Sequence, residues 1–115
     1  MPVRLMVSKE LAKLMNVLSH YQRIQIIEEL AKGEKDVNNI ILELKTSQSR
    51  VSQHLSVLRA HNIVTERKEA RHVYYRLTQP DLALWLLQGF KFIKHGIEIQ
   101  GDIIKAVDEI QDVWG

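Results

Sequence analysis

The 115-residue sequence contains no cysteine, which removes disulfides, thiolate metal sites, thiol redox switches and cysteine nucleophiles together. It also lacks any apolar run near the roughly 18 residues that a membrane span requires. The opening Met1-Pro2-Val3-Arg4-Leu5-Met6-Val7 is too short for a secretory signal, and Lys9 and Glu10 follow too soon. A cytoplasmic location with no membrane partner is the expectation. No Ser–His–Asp order, glycine-rich phosphate loop or paired-carboxylate motif is visible, so no enzyme is expected. Repeats, low-complexity stretches and linkers are missing too, and a single domain over 1–115 follows.

Hydrophobic residues make up 45% of the chain and charged residues 26%, enough apolar material for a core. One small domain is only marginally stable, which makes dimerisation a source of extra buried area. The formal charge of +2 is unevenly placed. Between positions 45 and 76, seven basic residues (Lys45, Arg50, Arg59, Arg67, Lys68, Arg71, Arg76) face two acidic ones, Glu66 and Glu69. A basic middle between a neutral start and an acidic tail points to a polyanion as its partner.

Four helical patterns come first. Ser8 is placed to cap a helix in which Leu11, Leu14, Met15 and Leu18 recur at helical spacing. After a break at Ser19-His20, a second helix carries Ile24, Ile26, Ile27 and Leu30, with Gly33 just past its end where a left-handed residue is wanted. Asp36 caps a third helix with a stripe of Val37, Ile40, Ile41 and Leu44. Thr46-Ser47 interrupts, and a fourth helix covers 48–60 with Val51, Leu55 and Leu58 inward. The period then changes from 3.6 to 2. Residues 63–68 and 72–77 read as strands joined by a turn at Glu69-Ala70-Arg71. Pro80-Asp81 ends this hairpin and opens a long last helix, 81–113. The predicted fold is mostly α with a β-hairpin wing over 63–77: a winged helix–turn–helix whose fourth helix enters a DNA major groove.

On that helix Gln48, Ser49, Arg50, Ser52, Gln53 and His54 are assigned to the face opposite Val51, Leu55 and Leu58. Short or bidentate polar groups in the first two turns suit base edges, and the helix N-terminus favours phosphate. A solvated polar face has the same look, and the basic hairpin beside it tips the balance towards double-stranded DNA. Arg67, Lys68 and Arg71 cluster at the hairpin turn, where they suit phosphate or simply keep a β-edge soluble. In the second strand one of Tyr74 and Tyr75 is expected in the core and the other partly exposed. His20, His61 and His72 are expected to be structural, with His72 also in reach of a phosphate.

The run Gln48-Ser49-Arg50-Val51-Ser52-Gln53-His54-Leu55-Ser56-Val57-Leu58-Arg59, followed by Val64 to Lys68 and Arg71-His72-Val73-Tyr74-Tyr75-Arg76-Leu77, resembles the ArsR/SmtB repressors. Leu18 to Ile24 resembles that family's second helix, and the likeness spans about residues 11 to 95. It implies a homodimer, paired through its first and last helices, that sits on a palindromic operator and leaves when an inducer binds. It also implies base or phosphate contacts at Gln48, Ser49, Ser52 and Gln53, with Arg71 in the wing. Ala70 stands where many relatives carry glycine, which puts the turn geometry in question.

Along the last helix Leu82, Trp85, Gly89, Phe92, Gly96, Ile99, Ile103, Ala106, Ile110 and Val113 form a heptad seam. Leu86, Phe90, Ile93, Ile97, Ile104 and Val107 lie beside it. So wide an apolar face predicts a dimer interface at Leu82, Trp85, Gly89, Phe92, Gly96 and Ile99, part of it shared with the chain's own first helix. Gly101-Asp102 offers a place where one helix ends and another is capped. His95 and Glu98 are three apart, so a continuous helix would aim both at one ion, zinc being the obvious divalent candidate. The metal-sensing relatives pair such a His-x-x-Glu with an upstream Asp-x-His, and the corresponding places here are Leu82 and Leu84. Two ligands per chain are too few for a closed site, so no metal or other cofactor is assigned. A winged-helix module that binds protein rather than specific DNA remains the alternative to a DNA-binding regulator.

Overall fold

In the computed structural model, which describes residues 2–96 and 101–114, the chain forms two compact units, Met1–Thr78 and Gln79–Gly115. The first contains α1 (Val3–Val17), α2 (Tyr21–Ala31), β1 (Lys35–Asp36), α3 (Val37–Leu44), α4 (Gln48–Ala60), β2 (Val64–Glu69) and β3 (His72–Leu77). Its core is the meeting of apolar stripes from α2, α3 and α4: Ile26, Ile27, Ile40, Val51, Leu55 and Leu58 are almost fully buried, and Ile63, Val64 and Leu77 close it from the sheet. These are the 3.6-period positions of each helix, so burying them leaves the intervening polar residues in water.

Local chemistry sets the ends of these helices. The His20 ring caps α2 by accepting from Gln22 N–H at 3.1 Å, and the Asp36 carboxylate caps α3 by accepting from Asn38 N–H at 2.7 Å. Ser47 Oγ caps α4, accepting from Arg50 N–H at 3.2 Å. Gly33 follows α2 with φ +129°, a conformation that a side chain would strain. Lys45 ends α3 in the left-handed region and turns the chain towards α4. Ser8 does not cap α1. The helix starts five residues earlier, at Val3, and Ser8 Oγ donates back to the Arg4 carbonyl at 3.0 Å.

The hairpin is part of a three-stranded antiparallel sheet of order β1-β3-β2. β2 pairs with β3 from Val64↔Leu77 to Glu69↔His72, and Lys35-Asp36 pairs with Tyr75 and Tyr74 on the other edge of β3. With β3 central, both tyrosines are half-buried rather than one in and one out. Tyr74 is covered by the Arg67 guanidinium, 4.5 Å from its ring centroid. Only Ala70 and Arg71 lie between the paired strands, and Ala70 takes φ +53°. A β-carbon there is strained, whereas glycine is not. Ala70→Gly is expected to stabilise the protein by about 0.5–1 kcal/mol, the relief of strain outweighing the added freedom of the unfolded chain. A rise in the urea midpoint at constant slope is the measurement, and a fall would show the turn to be unstrained.

The second unit corrects the expected helix over 81–113. Its described residues form α5 (Asp81–Lys94) and α6 (Gly101–Trp114), packed against each other. α5 stops where His95 leaves helical geometry, its N–H still bonded to the Lys91 carbonyl, and Gly96 follows with its N–H on Ile93. Glycine is a poor residue with which to continue a helix, and Gly96 stands at this break. Leu87 and Val107 are buried, the Phe90 and Trp114 rings sit 6.0 Å apart, and Lys94 ion-pairs with Asp108.

Candidate nucleic-acid interface

α3, the turn at Lys45–Ser47 and α4 form a helix–turn–helix, with the sheet directly against α4. Gln48, Ser49, Arg50, Ser52 and Gln53 are all exposed on α4, as expected. The helix start adds unpaired backbone N–H groups and a partial positive charge beside Arg50. Together these supply hydrogen-bond donors and acceptors for base edges and cationic groups for phosphate.

His54 does not belong to this face. It is 8% exposed and turned into the domain. Its Nε2 lies 3.1 Å from Gln22 Oε1, Arg23 Nε donates to its Nδ1 at 3.3 Å, and its ring centroid is 4.3 Å from that of His20. Burial is the main cause that pushes this imidazole below its ordinary value, and His20, Arg23 and Arg50 add to it. Gln22 is buried as well, and Arg23 also donates to the Val17 carbonyl at 2.9 Å. Sequence reasoning passed over this polar cluster beneath α4, although 51, 54, 55 and 58 already have the i, i+3, i+4, i+7 spacing of an inward stripe.

The wing cations divide into two kinds. Arg67 is committed to structure: its guanidinium grips Glu34 through Nε at 3.2 Å and Nη2 at 2.6 Å, and it also pairs with Glu69. These contacts raise its already high pKa and hold the Glu34 carboxyl below the usual carboxylate range. Lys68 is exposed and only loosely paired, 3.7 Å from Glu66. Arg71 is exposed at the turn itself. His72 is exposed too, but its Nδ1 meets Asp36 Oδ2 at 2.6 Å, which ties the base of α3 to the wing. Beside α4, Glu66 accepts from Tyr75 Oη and from Arg59 Nη1, both at 2.8 Å. The Tyr75 hydrogen bond is the leading cause that holds the Glu66 carboxyl low, while burial and then that bond push the Tyr75 phenol up to about 12.

Of the expected interface on α5, Leu82 is half-buried, and Trp85, Gly89, Phe92 and Gly96 are exposed. Ile99 lies outside the described residues. Phe92 is 80% exposed, with Leu84 and Ile93 open beside the seam. On α1 of the first unit Val3, Met6, Val7 and Met15 are each more than half exposed. Each unit therefore shows water an apolar surface that its own packing does not cover. His95 is exposed at the end of α5, so the i, i+3 helical pairing expected with Glu98 is not carried by that helix, and Glu98 lies outside the described residues. Among the described residues no three His, Asp or Glu side chains gather to hold an ion, and no helix is long and apolar enough to cross a membrane.

The family model described as "Bacterial regulatory protein, arsR family" matches residues 20–66, from the α2 cap to the middle of β2. The nodulation protein NolR of Rhizobium meliloti is 34% identical over 98 residues, covering 85% of this chain and 75% of that protein. The transcriptional activator HlyU of Vibrio cholerae is 36% identical over 69 residues, 60% of this chain and 64% of its own length. Among solved structures, the transcriptional repressor BigR from Xylella fastidiosa superposes with a TM-score of 0.70 at 30% identity, covering 80% of this chain and 96% of that one.

Proposed function

Because the chain belongs to the ArsR family of bacterial regulatory proteins, we propose that it is a homodimeric, sequence-specific DNA-binding transcriptional regulator that acts as a repressor. The observation that carries this is the exposed row Gln48, Ser49, Arg50, Ser52 and Gln53 at the start of α4, with the cationic wing tip in the same unit. α4 enters the major groove, Gln53 and Gln48 read base edges, and Lys68 and Arg71 engage phosphate. The apolar surfaces of α1 and α5 are covered by a second copy, so that two α4 helices meet successive major grooves about 34–36 Å apart. The protein works where the chromosome is, in the cytoplasm.

Selection of bound duplexes from a random pool tests this. The expected product is an inverted repeat with half-sites one helical turn apart, and recovery of no preferred sequence overturns the reading. On the selected duplex, Arg71→Ala is expected to weaken binding to all sequences and to lower the salt slope by about 1. Gln53→Ala is expected instead to cost about 1–3 kcal/mol of discrimination at one base position. A salt titration unchanged by Arg71→Ala counts against the wing contact. The sign of regulation is read by placing the selected duplex across a promoter in a transcription reaction, where a fall in transcript marks a repressor and a rise an activator.

A further inference from the structure

His54 lies on the reading helix directly after Ser52 and Gln53, yet its side chain points the other way. Its two ring nitrogens meet partners of opposite character. Arg23 Nε–H can only donate, so Nδ1 must keep its lone pair. Nε2 then carries the hydrogen and donates to Gln22 Oε1. The geometry therefore admits one protonation state, the neutral Nε2–H tautomer, and in that state α2 and α4 are joined by two hydrogen bonds through one ring.

From this arrangement we propose that His54 is a positioning residue for DNA reading, whose neutral ring holds α4 in its reading pose on α2 and whose protonation releases it. The proposal rests on the DNA-binding reading above. A proton added at Nδ1 faces the Arg23 N–H, so a hydrogen bond becomes a contact between two cations. Among the described residues the groups bearing on the ring are His20 from the cap of α2, Arg23 from α2 and Arg50 from α4, all basic, so none offsets that charge. α1 contributes to the cluster the Val17 carbonyl, which is occupied by Arg23. His20 Nδ1 accepts the capping bond from Gln22 N–H. With burial holding the ring below the ordinary histidine value of 6.5, the neutral form is the native one. Its contribution is complete above 6.5 and is lost as pH falls through the lower native value. A displaced α4 moves Ser52 and Gln53 together, so reading is expected to fail as a unit rather than at one base.

The sign separates this from general electrostatics. Positive charge gained at an exposed site beside a duplex strengthens attraction to phosphate. Binding that weakens in acid must come from a group whose protonation disrupts the reading surface.

The test uses the full chain and a labelled duplex recovered from the random pool, titrated between about pH 7.5 and 5.5 at constant ionic strength. Wild type is expected to lose affinity as pH falls, the loss steepening towards about tenfold per unit once pH lies below the native His54 value. His54→Asn keeps an acceptor for Arg23 and has nothing to protonate, so its affinity is expected to stay level or rise. Gln22→Glu places a carboxylate on Nε2–H, favours the imidazolium and is expected to move the midpoint up by about one unit. Circular dichroism of each protein at both ends of the range shows that the fold persists. Independently of DNA, nitrogen NMR of the wild-type imidazoles is expected to find His54 as the Nε2–H tautomer. Superposed affinity profiles for wild type and His54→Asn, or an Nδ1–H tautomer, overturn the proposal alone. Retention of no duplex at any pH overturns the DNA reading, and the proposal with it.

Discussion

Leu55→Ala is expected to lower the folding free energy by about 2–5 kcal/mol, a large part of the roughly 5–15 kcal/mol that holds a small domain together. Leu55 is 1% exposed and occupies the inner stripe of α4 with Val51 and Leu58, where the helix packs on α2, α3 and β2. Trimming its isobutyl group to a methyl forfeits burial of about three carbons and leaves a void that close-packed neighbours fill only in part. Urea unfolding followed by circular dichroism measures the change, with the slope expected to hold. Gln53→Ala, two residues away on the exposed face, is expected to stay within about 0.5 kcal/mol of wild type. The pair separates the structural role of α4 from its recognition role. A Leu55→Ala cost below about 1 kcal/mol would mean that α4 is not seated in the core as described.

Phe92→Asp is expected to turn the dimer into single chains and to cut affinity for the selected inverted repeat by about 10²–10⁴-fold. Phe92 is 80% exposed, so one chain on its own loses little by the change. In the proposed pair the same carboxylate would be carried into an apolar contact with no partner charge, which association cannot compensate. Once the chains part, the second α4 no longer binds as a tethered neighbour, and the gain from linking two half-sites disappears. Light scattering gives the mass and a duplex titration gives the affinity. Persistence of a dimer with Asp at 92 would place the contact away from this face of α5. A single half-site should be bound equally by the variant and by wild type, which keeps loss of pairing distinct from loss of reading.

Much of this architecture was legible in the sequence because it is local. The bounds of α4 coincide with those expected, since Ser47 supplies a cap and the apolar period begins at Val51. The cap at Asp36 and the glycine after α2 were legible for the same reason. What escaped is long-range. β1 is two residues, Lys35 and Asp36, with no apolar alternation, and it is a strand only because β3 offers it an open edge some forty residues later. Arg67 looked like a free wing cation because Glu34, its main partner, lies 33 positions away. The division of the last helix turned on Gly96 and Gly101, two residues that a heptad count treats as small interface positions. His54 is the instructive case. Its spacing placed it inward, its polarity suggested outward, and the buried partners Gln22 and Arg23 reconcile the two.

Asp36 touches three parts of the first unit: it caps α3, pairs in β1 with the centre of the sheet, and binds His72 beside the turn of the wing. A protein engineer exchanging segments between relatives would meet this as a rule about what travels together. On the proposed DNA reading, Gln48, Ser49, Arg50, Ser52 and Gln53 are the residues to swap to retarget base preference, because their side chains are exposed, while buried Val51 between them must stay. A hairpin transplanted without residues 34–36 would arrive with Arg67 lacking Glu34 and His72 lacking Asp36. The smallest portable wing is thus discontinuous in the chain, a hairpin together with three residues from upstream of the helix–turn–helix.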